Sequence, residues 1–214
     1  MDAGPGLRMT TSLINEIETQ IGEARGKDAH ADIKPLLRRA ISRAQTEDEI
    51  SFVHGSLCSE LIRELSENES ATTDRDRISR AEEAIRTWTS AAPQDPYPWI
   101  SLADLYAYYE GDFARAKTAI DSAIDRANEV KGFYRQAHGT RIRIALKLGD
   151  LRTVEASLKA LVDWKPATGV PDVGLETDFL SRIPAGAIDK RVLDLYLMRA
   201  ADHGKTGSAP ASGQ

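Results

Sequence analysis

The sequence predicts an all-α fold, a helical repeat built of antiparallel helix hairpins between N-terminal helices and a C-terminal capping helix. Three observations predict it. Apolar residues recur three and four apart along most of the chain, strand-like alternation is nearly absent, and Gly111-Asp112 returns as Gly149-Asp150, 38 residues later. The composition agrees: 41% hydrophobic, 29% charged and only 6% aromatic residues suit amphipathic helices rich in Ala, Leu, Arg and Glu better than a β-sandwich.

The elements follow in order. Residues 1–8 are small and polar, and a flexible N-terminus is expected there. A single domain over residues 9–202 begins with two short helices. One runs from Thr10 to Ala24 with Leu13, Ile14, Ile17 and Ile21 on one side, the other from Ala31 to Ala44 with Ile33, Leu36, Leu37, Ala40 and Ile41. Thr46 and Glu49 have capping-box spacing and open a longer helix bearing Ile50, Val53, Leu57, Leu61 and Leu65.

A polar break over Ser66 to Thr73 separates it from a helix over Asp74 to Ala92, which Pro93, Pro96 and Pro98 end. Helices are then expected over Tyr97 to Tyr109, Phe113 to Val130, Phe133 to Leu148 and Leu151 to Trp164. In each Gly-Asp pair the glycine can take positive φ after one helix and the aspartate can cap the next. Connections this short make antiparallel hairpins. The segment 173–202 caps the array: Leu175 to Ile183 plugs the last hairpin, and Asp189 caps a helix whose preceding Ile188 staples onto Leu193. Residues 203–214 read as a disordered tail.

Trp99-x2-Leu102-Ala103-x2-Tyr106, followed by Gly111-Asp112-Phe113-x2-Ala116, Ile120 and Ala123, resembles the tetratricopeptide repeat family. The resemblance is best over residues 95–166 and looser from Thr46 to Asp95. By that pattern the turn before Gly111 is one residue long, Asn128 replaces a proline, and His138 and Arg141 stand where bulky apolar residues are expected. The resemblance implies an α-solenoid whose first helices line a concave groove. Transferred by register, its groove positions are Glu49, Phe52 and Glu60, then Tyr97, Ile100, Asp104 and Tyr108, then Gln136, Arg143 and Lys147.

Charge adds a second indication. The formal net charge is −5, yet residues 131–149 contain Lys131, Arg135, Arg141, Arg143 and Lys147 and no acid. Arg135, Gly139, Arg143 and Lys147 are spaced by four, a basic stripe around a glycine notch suited to an acidic protein segment. The residues expected to bind a partner are therefore Asp104, Tyr108, Arg135, Gln136, Arg143 and Lys147. A solvated helix face paired with nearby acids is the competing account of the stripe.

The predicted function is a protein-protein interaction module, an adaptor or scaffold. The alternatives are a dedicated inhibitor, immunity or chaperone-like subunit masking one large partner, and a small hydrolase or metal enzyme using His54 and Cys58. Against the last, His54 and Cys58 share an apolar stripe with Ile50, Val53, Leu57 and Leu61, which fits a buried, inert thiol. No phosphate-cradling loop, nucleophile elbow or metal-ligand spacing occurs, so no enzyme activity, cofactor or metal is expected. Nucleic acid is disfavoured by the missing alternation of basic and aromatic residues. Without an apolar start, a long apolar run or a second cysteine beside Cys58, the expected location is the cytoplasm, away from any membrane.

Overall fold

The computed structural model describes residues 11–27, 29–67, 75–130, 133–164 and 176–206. The expected flexible N-terminus, the Ser66 to Thr73 break beyond Glu67, Leu175 and the end of the polar tail lie outside them. The described residues form α1 (Ser12–Gly26), α2 (Ile33–Ile41), α3 (Glu47–Glu67), α4 (Arg75–Ala91), α5 (Tyr97–Leu105), α6 (Phe113–Val130), α7 (Tyr134–Leu148), α8 (Leu151–Asp163) and α9 (Lys190–Thr206). Among the described residues there is no strand, and no helix is long and apolar enough to cross a membrane.

Local chemistry sets the boundaries. Thr11 caps α1 by accepting from the Ile14 amide at 3.3 Å. The capping box at α3 is reciprocal: the Glu49 amide donates to Thr46 Oγ1 at 3.2 Å, and the Thr46 amide donates to Glu49 Oε2 at 3.2 Å. Gly111 and Gly149 take the left-handed conformation, with φ of 68° and 69°. The following aspartates cap α6 and α8, accepting from the amides of Arg115 at 3.0 Å and Thr153 at 3.1 Å. Asp189 likewise accepts from the Arg191 amide at 2.8 Å as α9 begins.

The surplus residue before Gly111 is absorbed as a π-helical turn over Tyr106–Glu110, directly continuing α5. The turn closes through the Asp112 amide, which donates to the Tyr106 carbonyl at 2.9 Å. A one-residue insertion that cannot be looped out between a helix and its αL cap widens the last turn instead.

Each helix packs on the next in sequence, and α5 also touches α7 as α1 touches α3. Large and small residues alternate in the interior. Trp88, Ile85, Leu105 and Ile120 are buried beside Ala81, Ala103, Ala116, Ala123 and Ala127, whose methyl groups let neighbouring backbones approach closely. This main core extends from Leu13 to Ile144. A second, smaller cluster gathers Ile142, Ala145, Val154, Leu158, Leu161, Phe179, Ile188 and Tyr196 around α7, α8 and α9. Leu193 packs against this cluster, to which Ile188 belongs, and Phe179 enters from a short 3₁₀ turn, Asp178–Arg182.

Candidate functional site

Two hollows open along one side of the helix array. The first, of about 630 Å³, is lined by α1 (Glu18, Ile21, Gly22, Arg25), α3 (Ser51, Phe52, Gly55, Ser56, Ser59, Glu60), Trp88, Tyr97 and the start of α7 (Phe133, Gln136). The second, of about 510 Å³, is lined by α3 (Cys58, Ile62, Arg63 and Ser66 among others), by Tyr97, Ser101, Asp104, Tyr108 and Tyr109, and by Arg143 of α7. They share Gly55, Ser59 and Tyr97 and so adjoin in one groove. Apart from Trp88, every lining residue comes from α1, α3, α5 with its π turn, or α7 with its N-cap.

Why the groove exists at this level is visible on α3. Its groove-lining face carries the small residues Ser51, Gly55, Ser56 and Ser59 beside Phe52 and Glu60. A Cβ on Gly55 would stand 2.9 Å from Cη2 of Trp88, so the glycine admits the indole beneath it. From Trp88 the floor continues through aromatic contacts: Trp88 to Tyr97 at 5.6 Å between centroids, and Tyr97 to Phe133 at 5.3 Å. Phe133 holds φ at 56°, a left-handed conformation that a β-carbon normally disfavours. It is a strained residue whose ring lies in the groove wall.

The first hollow also contains an ion cluster. Glu60, 3% exposed, accepts from Arg25 at 2.8 Å and from Arg63 at 2.7 Å. Burial pushes its carboxyl pKa up, but the hydrogen bonds and charges of the two guanidiniums outweigh this and hold it below the usual range. In the second hollow the balance differs. Burial raises the pKa of Asp104 to about 6, against the opposing pull of Arg143 and the Thr140 hydroxyl. Thr140 Oγ1 lies 3.5 Å from Asp104 Oδ1 and accepts from Arg143 Nη2 at 2.9 Å, and Arg143 Nη1 meets Glu176 Oε2 at 2.5 Å.

Of the six residues expected to bind a partner, Asp104, Tyr108, Gln136 and Arg143 line the groove, and Tyr108 is 55% exposed. Arg135 and Lys147 line neither hollow. Arg135 stands over the Trp164 ring, 5.7 Å from its centroid. At about 100° per residue, positions eight apart drift by about 80°, so Arg135 and Arg143 do not share a stripe. Lys147 is exposed on α7, one turn beyond Arg143.

Two other groove positions taken from the resemblance need correction: Glu49 is engaged in the α3 capping box, and Ile100 is 5% exposed in the main core. Glu60 does line the first hollow, paired with its two arginines. Tyr106 lies in the core, donating to Glu82 at 2.8 Å beneath the Arg115 guanidinium. Sequence reasoning missed Phe133, Gly55 and Trp88 as groove residues. The Gly55-Trp88 fit could have been suspected only by superposing α3 on α4.

Cys58 is buried beside the second hollow, and burial pushes its thiol up to about 12, leaving almost no thiolate near neutral pH. His54 is 5% exposed, and its burial lowers its pKa. Among the described residues no three His, Cys, Asp or Glu side chains gather as a metal site would require.

Fold and groove together define a class: among the described residues, an all-α arrangement of consecutively packed helices with an open, aromatic-floored groove. Comparison with protein-family models, with curated proteins and with solved structures found no match for the chain.

Proposed function

We propose that the protein is an adaptor of the tetratricopeptide-like α-solenoid kind, holding a segment of a protein partner in the groove between α1, α3, α5 and α7. One observation carries the proposal: alternate helices supply the groove, as they do on one side of stacked hairpins. The groove chemistry supports it. Phe52, Tyr97 and Phe133 offer apolar area for a partner's side chains, while serines and Gln136 offer hydrogen bonds to its backbone. The strain at Phe133 is the kind of cost that functional surfaces retain.

The test is capture of a partner by wild type, by Tyr97→Asp, and by Ser79→Asp as a control on the outward face of α4, with captured chains identified by mass spectrometry. A specific protein retained by wild type and the control, and lost on Tyr97→Asp, is the expected result. Equal capture by all three would place binding elsewhere and overturn the proposal.

A further inference from the structure

Arg143 lines the groove from α7, and a carboxylate from the chain itself already stands on it. Glu176 reaches α7 from 33 residues along the chain, and its side chain is 57% exposed against 26% for Arg143. Its Oε2 lies over the glycine notch, 3.7 Å from where a Cβ of Gly139 would be. The Glu176 backbone is secured separately, because its carbonyl accepts from Tyr196 Oη at 2.7 Å. The side chain can therefore leave Arg143 without releasing the segment that bears it. An ion pair this exposed on one side contributes little and exchanges easily.

The arginine, by contrast, is held in place. It lines the second hollow and donates to Thr140 Oγ1 at 2.9 Å, which in turn lies 3.5 Å from Asp104 Oδ1. The guanidinium is thus held by Thr140 of its own helix, while the Glu176 side chain that it meets is more than half exposed. We infer that the Arg143 end of the groove receives an acidic side chain of the partner segment, and that Glu176 holds this place in the unbound protein. The partner segment would carry apolar residues for the aromatic floor and an Asp or Glu beyond them. This rests on the groove reading above and adds the partner's charge and an internal competitor.

Capped peptides, acetylated and amidated so that no terminal carboxylate is present, would test it. One series places a single Glu at increasing distances from a fluorescent Leu-Phe pair, and a matched series carries Gln. Binding is read by anisotropy for wild type, Glu176→Gln, Arg143→Gln and Tyr97→Asp, with helicity and melting temperature checked for each. The best Glu peptide is expected to bind Glu176→Gln about five-fold more tightly than wild type, and Arg143→Gln no better than its Gln match. The Gln series should not distinguish Glu176→Gln from wild type.

Equal binding of Glu peptides to wild type and Glu176→Gln, or equal binding of the Glu and Gln series to Glu176→Gln, overturns the inference. If Tyr97→Asp still abolishes binding in that case, the groove reading survives alone. If peptides bind Tyr97→Asp as they bind wild type, or bind no protein, both fail.

Discussion

The two cores of this protein are built differently. The main core runs through α1 to α7 with Trp88, Ile85, Leu105 and Ile120 interleaved with buried alanines, so each helix is wedged between neighbours. The smaller cluster depends on α7, α8, α9 and a single 3₁₀ turn. At their meeting, α7 and α8 bury polar groups: His138, Thr140 and Ser157 are each 3% exposed or less. Neither ring nitrogen of His138 has a hydrogen-bond partner among the described residues, and its ring packs on Tyr134 at 4.4 Å. Buried polar groups without partners weaken packing, so the C-terminal unit is expected to open first. Glu176 is tied to that unit through its carbonyl, which accepts from Tyr196 Oη of α9 at 2.7 Å.

Trp88→Ala should produce the largest effect on this comparison, a loss of about 3–5 kcal/mol. It removes the largest fully buried side chain and the groove floor together, and urea unfolding should show a single earlier transition. Leu158→Ala should cost about 2–4 kcal/mol but act locally. Limited proteolysis is expected to release the α9 region while the rest stays folded, and simultaneous loss of both regions would show that the two cores are one cooperative unit.

Asp104 and His138 should separate the regions by pH. The folded-state pKa of Asp104 is raised from 3.8 to about 6, so the stability linked to its protonated form is present below about pH 4 and lost as pH rises through about 6. Asp104→Asn should therefore stabilise the protein at pH 8, by no more than about 3 kcal/mol, and do little at pH 4. An unchanged pH profile would mean the carboxyl is well solvated.

His138 has the opposite sign. Burial first, then the charge of Arg141, lowers its pKa from 6.5 to about 4, so stability present above pH 6.5 is lost as pH falls toward 4. Replacing the imidazole with an apolar group of similar size, His138→Leu, should raise stability at pH 8 by about 1 kcal/mol and more at pH 5. A lower denaturant midpoint at both pH values would mean that the imidazole packs better than a leucine can.

Much of this architecture was legible because helix boundaries are written in short-range chemistry. The Thr46-Glu49 box, the Gly-Asp pairs and the proline run act within a turn of where they stand, and each helix face repeats at a period the sequence displays directly. Asp104, Tyr108, Gln136 and Arg143 were findable because the resemblance to the tetratricopeptide repeat implies which register positions face a groove, and these four line it.

Where the sequence failed, contacts between distant segments made the choice. Helical phase drift took Arg135 to Trp164, an effect that spacing by four conceals over two turns. The extra residue before Gly111 announced a disturbance but not its form; a packed α5 and a fixed glycine cap left a π turn as the outlet. That Glu176 would lie on Arg143, that Gly55 would admit Trp88, and that His138 would be sealed without a hydrogen bond all depend on how helices dock. The sequence by itself determined which segments are helical and which faces are apolar, because backbone hydrogen bonds and caps close within a few residues. Only the tertiary structure decided which side chains share the groove, because docking sets distances between groups that sequence separation leaves free.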